Sequence, residues 1–119
     1  MSTQPLRALV ASYLEAERRR DAAAVADHFC ADGVLVDADG IRHAGRTAVR
    51  RVYDGIYRDL SSLDVQLVGE FLDTDRGAIE WIADAVRTDG VVVHLRGVSV
   101  VRAHDRGFIE LRVYLGSDP

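Results

Sequence analysis

The chain has 119 residues, 48% hydrophobic and 29% charged, with a formal net charge of −4. That length suits one domain built on one core, residues 1–119, and the composition excludes a disordered chain. The acidic balance offers no electrostatic footprint for nucleic acid or an anionic membrane surface, and no apolar run reaches the ~20 residues of a membrane span.

Met1 to Leu6 show no basic and then apolar leader, and Cys30 is the only cysteine. A disulfide framework and a cysteine-based zinc site are therefore not expected, and a cytoplasmic location is. All 15 basic residues are arginine, which removes lysine Schiff-base chemistry and fits a GC-rich bacterial genome.

Thr3 and Pro5 read as a helix start, the hydroxyl as cap and the proline in the first turn. Leu6, Leu9, Val10, Tyr13 and Leu14 follow at helical spacing, and Arg18, Arg19 and Arg20 suit the negative end of the dipole. Asp21 is placed to cap a short second helix with Val25, Ala26 and Phe29 inward. Val34–Asp37, Ala38-Asp39-Gly40 and Ile41–His43 read as a hairpin. Val49, Val52, Tyr53, Ile56, Tyr57 and Leu60 define the apolar face of a third helix. Leu63–Leu72, Gly77–Arg87, Val91–Arg102 and Phe108–Leu115 read as four strands joined by short turns, hence an antiparallel meander. The element order predicts an α+β domain, with helices on one face of a sheet that curves to leave a pocket.

Tyr13-Leu14-Glu15-Ala16 with Asp21, His28 through Val34, Gly45 through Arg50 and Arg106 through Tyr114 together resemble the nuclear transport factor 2 superfamily. Within it they are most similar to SnoaL-like polyketide cyclases and ketosteroid isomerases. The resemblance covers nearly the whole chain and implies a cone-shaped fold with three N-terminal helices on a mostly antiparallel sheet. It implies a pocket tyrosine at Tyr13, a general-base aspartate at Asp37 and a supporting tyrosine at Tyr53. The second acidic donor of the isomerases falls on Gly97, which departs from their pattern and implies extra room there.

Asp37 ends an apolar strand before a turn, so it reads either as a pocket carboxylate or as a residue that ties the turn backbone. Tyr13 reads as an oxyanion donor or as a core aromatic bonded to Tyr53, and Tyr57 as packing. On Gly77–Arg87, alternation separates Glu80, Ile82, Asp84 and Val86 from Ile79, Trp81, Ala83 and Ala85. Patterning alone turns the Trp81 face to the core. The resemblance implies the reverse, with Asp84 in the pocket and Trp81 at a subunit contact; Glu80 stays open between the two. The resemblance also turns Val93, Leu95, Gly97, Leu111 and Val113 inward as substrate-binding positions. His94 and Arg96 then lie on the outer sheet face, and His43 stands near the pocket mouth.

These readings lead to a cofactor-independent, metal-independent enzyme. It would move a proton next to a carbonyl in an apolar polycyclic or polyketide-like molecule, as an isomerase or cyclase. Asp37 would be the general base or acid, and Tyr13, supported by Tyr53, would stabilise the oxyanion. One alternative is an epoxide-opening enzyme using Asp37 with Asp84 or Glu80; another is a non-catalytic ligand-binding or dimerisation domain. Apolar residues on both faces of the last three strands, with Trp81, Val92, Val98, Val100 and Tyr114 turned outward, lead to a homodimer.

Overall fold

Pro5 stands in the first turn of α1 (Gln4–Arg18), where its missing N–H costs nothing. The expected Thr3 cap is not made: no side-chain cap bond forms at Thr3, whose backbone is already helical. Asp21 does cap α2 (Ala22–Asp27), accepting from the Ala24 N–H at 3.0 Å. Phe29, expected on this helix, instead opens β1 (Phe29–Val36), where it is fully buried. After β2 (Arg42–Ala44), Gly45 turns the chain at φ 90° into α3 (Arg46–Arg58), a conformation that favours glycine. Four long strands follow: β3 (Leu60–Leu72), β4 (Arg76–Arg87), β5 (Val92–His104) and β6 (Gly107–Leu115). The computed structural model describes residues 2–105 and 107–116, so Met1, Arg106 and Pro119 lie outside the described residues.

The expected meander is present, with β3, β4, β5 and β6 paired antiparallel in sequence order. β1 closes the sheet by pairing in parallel with β6 and antiparallel with β2, giving the order β2-β1-β6-β5-β4-β3. The β1–β6 register slips between Phe29 and Val34, because residues 30–33 bulge. Gly33 belongs to that bulge: a Cβ there would stand 2.5 Å from the Phe108 carbonyl oxygen.

The core fills the space between the helices and the concave sheet face. α1 contributes Leu6, Val10, Tyr13, Leu14 and Ala16, and α3 contributes Val49, Tyr53 and Tyr57. Phe29 and Phe108 meet edge to face at 5.5 Å, and Tyr13 stands edge-on to Phe108 at 5.4 Å. Truncating a buried phenylalanine of this kind costs about 3–5 kcal/mol, so these rings fix how α1 seats on the sheet.

Candidate functional site

Toward the open end of the cone the packing gives out. On β4 the concave face carries Ile79, Trp81, Ala83 and Ala85; beneath α1 and α3 the two alanines are too small to fill the gap. A cavity of about 630 Å³ results, within the range of roughly 300–1,000 Å³ usual for small-molecule sites. Tyr13, Leu14 and Glu17 form its α1 wall, and Val52, Tyr53, Ile56 and Tyr57 its α3 wall. Val93, Leu95 and Ser99 of β5 and Val113 of β6 form its floor, and Asp37, Asp39, Asp59 and Arg87 lie around it with more exposed surface.

Of the expected site residues, Tyr13, Asp37, Tyr53, Val93, Leu95 and Val113 meet at this cavity. The Tyr13 and Tyr53 hydroxyls are 2.6 Å apart. Burial first, and then Glu17, push both phenols above the usual value of 10.0, so both remain neutral donors. Asp37 fills both of the roles the sequence left open. Its Oδ1 accepts from the backbone N–H groups of Asp39 at 2.9 Å and Ile41 at 3.0 Å, tying the hairpin turn. Its Oδ2 accepts from Nε2 of His43 at 2.9 Å while the side chain lines the cavity. The His43 hydrogen bond, then that of Ile41, holds this carboxyl below 3.8, so it is a carboxylate at neutral pH.

Asp84 is not a cavity residue. It lies on the outer sheet face, 60% exposed, with Oδ1 2.5 Å from Nδ1 of His94. Glu80 shares that face and is exposed. Here patterning prevails over what the resemblance implied. β4 turns Ile79, Trp81, Ala83 and Ala85 inward, and the opposite choice would desolvate two carboxylates.

Trp81 consequently points inward, and it changes the reading of Gly97. The two residues are cross-strand partners, and a Cβ on Gly97 would stand 2.6 Å from Trp81 Cζ2. The indole occupies the room expected there, held by its Nε1–H donating to Ser99 Oγ at 3.0 Å. Gly97 therefore admits the indole rather than a ligand. Leu111, also expected at the site, is fully buried in the core beside the cavity and forms no wall of it.

Glu17 is the residue that sequence reasoning missed. It extends the apolar stripe of Val10, Tyr13 and Leu14 by one helical step, and a carboxylate on that stripe was the available signal. It is half-buried in the cavity wall, and Tyr57 donates from its hydroxyl to Oε1 at 2.8 Å. Burial raises the Glu17 carboxyl to about 7, against smaller lowering effects of the Tyr57 hydrogen bond and the Arg18 charge. Tyr57 is thus more than packing: its ring is buried in the core and its hydroxyl positions Glu17.

Among the described residues, no group of three or more His, Cys, Asp or Glu is arranged to hold a metal ion. No helix among them is long and apolar enough to cross a membrane.

Three helices laid on a curved six-stranded sheet, with a pocket between the layers, define an α+β protein of the nuclear transport factor 2-like class. The SnoaL-like domain model matches residues 10–111, and the chain belongs to that family. No curated protein sequence matches significantly. AclR, a proposed hydroxylase from Streptomyces galilaeus, superposes with TM-score 0.84 at 17% identity, covering 99% of this chain and 83% of its own. A proposed polyketide cyclase from Xanthomonas campestris reaches TM-score 0.81 at 20% identity over 96% of this chain and 92% of its own. A protein from Catenulispora acidiphila with a ketosteroid isomerase-like fold, in complex with trimethylamine, reaches 0.81 at 18% identity over 89% and 83%. At these identities the likeness concerns the fold.

Proposed function

We propose that this protein is a cofactor-independent enzyme that moves a proton next to a carbonyl in a neutral, apolar ring compound, as an isomerase or cyclase. One observation carries this reading. A largely apolar cavity of about 630 Å³ brings an anionic carboxylate, Asp37, together with the Tyr13–Tyr53 hydroxyl pair. Such chemistry needs a positioned base and donors for the oxygen that gains charge, and neither requires a cofactor. In this reading Asp37 takes the proton from carbon, and Tyr13, polarised by Tyr53, donates to the enolate oxygen. The carboxylates around the cavity (Asp37, Asp39 and Asp59) against the single Arg87 disfavour an anionic ligand. The family supports small-molecule chemistry of this kind, and the Catenulispora relative holds a small molecule.

The assembly proposed with it is a homodimer through the outer sheet face, where Ile82, Val92, Val100 and Tyr114 are exposed on neighbouring strands. Trp81 takes no part in that face.

The test uses 2-tetralone, an apolar bicyclic ketone, and follows exchange of its α-hydrogens in deuterated water by NMR. The protein is expected to accelerate exchange, and Asp37→Asn to lower the acceleration about 10²-fold. Trp81, the only tryptophan, lines the cavity and reports occupancy. 2-Naphthol should quench its fluorescence and inhibit exchange over the same concentration range. Exchange no faster than in buffer would refute the reading.

A further inference from the structure

The resemblance leaves the oxygen end of the ligand short of one acidic donor, because Gly97 stands where the isomerases carry an acid and Trp81 has filled the space. The opposite wall offers another. We propose that Glu17 is a second proton-transfer group of this cavity, a carboxylic acid that donates from Oε2 to the ligand's carbonyl oxygen while Asp37 takes the proton from carbon. This rests on the function proposed above and adds a residue to it.

The argument is geometric. Glu17 lines the cavity from α1, on the same helix face as Tyr13 and one turn beyond it. Tyr57 donates to Oε1 and so occupies that oxygen. When the carboxyl is protonated, its hydrogen then resides on Oε2, which has no hydrogen-bond partner among the described residues. The donor oxygen is thereby selected in advance, and a ligand oxygen is the acceptor it lacks.

The electrostatic setting agrees with that geometry. On its own helix Glu17 is accompanied by Tyr13 and by Arg18, whose guanidinium turns away to the Val65 carbonyl and Glu15. From α3 it faces Tyr53 and Tyr57; β3 presents apolar Leu63 and Val65. At the two ends of α2, the Asp21 carboxylate is committed to the Ala24 N–H and acts on Tyr57, and the His28 ring stands edge-on to Tyr13. The remaining charges around the cavity are Asp37, Asp39, Asp59 and Arg87. Among the described residues no cation is bonded to Glu17, and burial raises it to about 7 against the lowering effect of the Arg18 charge, whereas hydrogen bonds hold Asp37 below 3.8. Two carboxyls in one cavity whose environments push them apart divide the labour: the low one is the base and the high one the acid.

The step balances without a further reactant. Asp37 removes an α-hydrogen as a proton; the C–H electron pair forms the C=C bond, and the carbonyl π pair takes the Glu17 proton to give the enol. Reversal with a deuteron from solvent returns the labelled ketone and both carboxyls.

The test is the pH profile of 2-tetralone exchange. The wild-type rate should fall as pH rises through about 7, where Glu17 loses its proton. Glu17→Gln should lower the rate at pH 6 by about 10-fold or more and remove the alkaline fall. Tyr57→Phe removes a hydrogen bond that lowers the Glu17 carboxyl, so it should move the fall to higher pH. A wild-type rate that rises through this range would overturn the assignment of Glu17 as the acid. So would a Glu17→Gln protein with the wild-type rate and profile, and in that case the proposed function stands if Asp37→Asn is inactive. Absence of exchange in the wild type overturns both.

Discussion

Glu17→Gln also has a consequence for folding that can be worked from the structure without any ligand. In the unfolded chain the carboxyl titrates near 4.5; in the folded protein burial raises it to about 7. Between those values the native state holds a proton that the unfolded state has released, so stability falls as pH rises across the window. Below 4.5 both states are protonated and nothing is lost; above 7 the full cost of burying the carboxylate is present. At about 1.4 kcal/mol per pH unit, a carboxyl moved from 4.5 to about 7 removes about 3 kcal/mol by pH 8. Glutamine keeps the Oε1 acceptor for Tyr57 and has no charge to bury. The variant should match the wild type within about 1 kcal/mol at pH 4.5 and exceed it by about 2–3 kcal/mol at pH 8. Urea unfolding at the two pH values measures this, and comparing variant with wild type cancels the titration of every other group. A stability difference that does not change between the two pH values would refute the placement of Glu17 as a desolvated carboxyl in the cavity wall.

Gly97→Ala places a methyl 2.6 Å from both Trp81 Cζ2 and the Tyr114 carbonyl oxygen. It should cost about 1–3 kcal/mol by urea unfolding. It should also shift Trp81 emission, and an unchanged midpoint and spectrum would show that the indole does not lie over Gly97. For the outer face, analytical ultracentrifugation should give about twice the chain mass of 13.1 kDa. Val100→Arg, at a position 40% exposed on that face, should return it to the chain mass with the fold retained. A wild-type protein that sediments as a single chain contradicts the dimer.

The elements themselves were legible because their signals are local. Helical spacing from Leu6 to Leu14 and from Val49 to Tyr57, the Asp21 cap and the short polar turns between strands each depend on a few neighbouring residues. The meander follows from those turns, since short loops leave adjacent strands no other partner. Phe29 opens β1 and does not extend α2, since an apolar residue just past a short helix fits the helix's buried face and a strand equally well.

The site was legible only in part. Tyr13, Asp37 and Tyr53 could be named from the resemblance, but the partners of the tyrosines come from distant segments: Tyr13 meets Tyr53 across 40 residues, as Glu17 meets Tyr57. Which face of β4 looks inward is a matter of parity, and a slip of one residue exchanges Asp84 for Trp81. Pairing with β5 sets that parity, placing Trp81 opposite Gly97 and Asp84 opposite His94, while β3 accommodates it by a shift between Leu67 and Gly69. The parallel pairing of β1 with β6 likewise joins segments far apart in the chain, Phe29–Val36 and Gly107–Leu115. The amino-acid pattern determined the elements, their order and the apolar faces. The tertiary structure decided which carboxyl is desolvated, because the surroundings that bury Glu17 come from segments far away in sequence, whereas the hydrogen bonds that hold Asp37 as an anion come from Asp39, Ile41 and His43 close by.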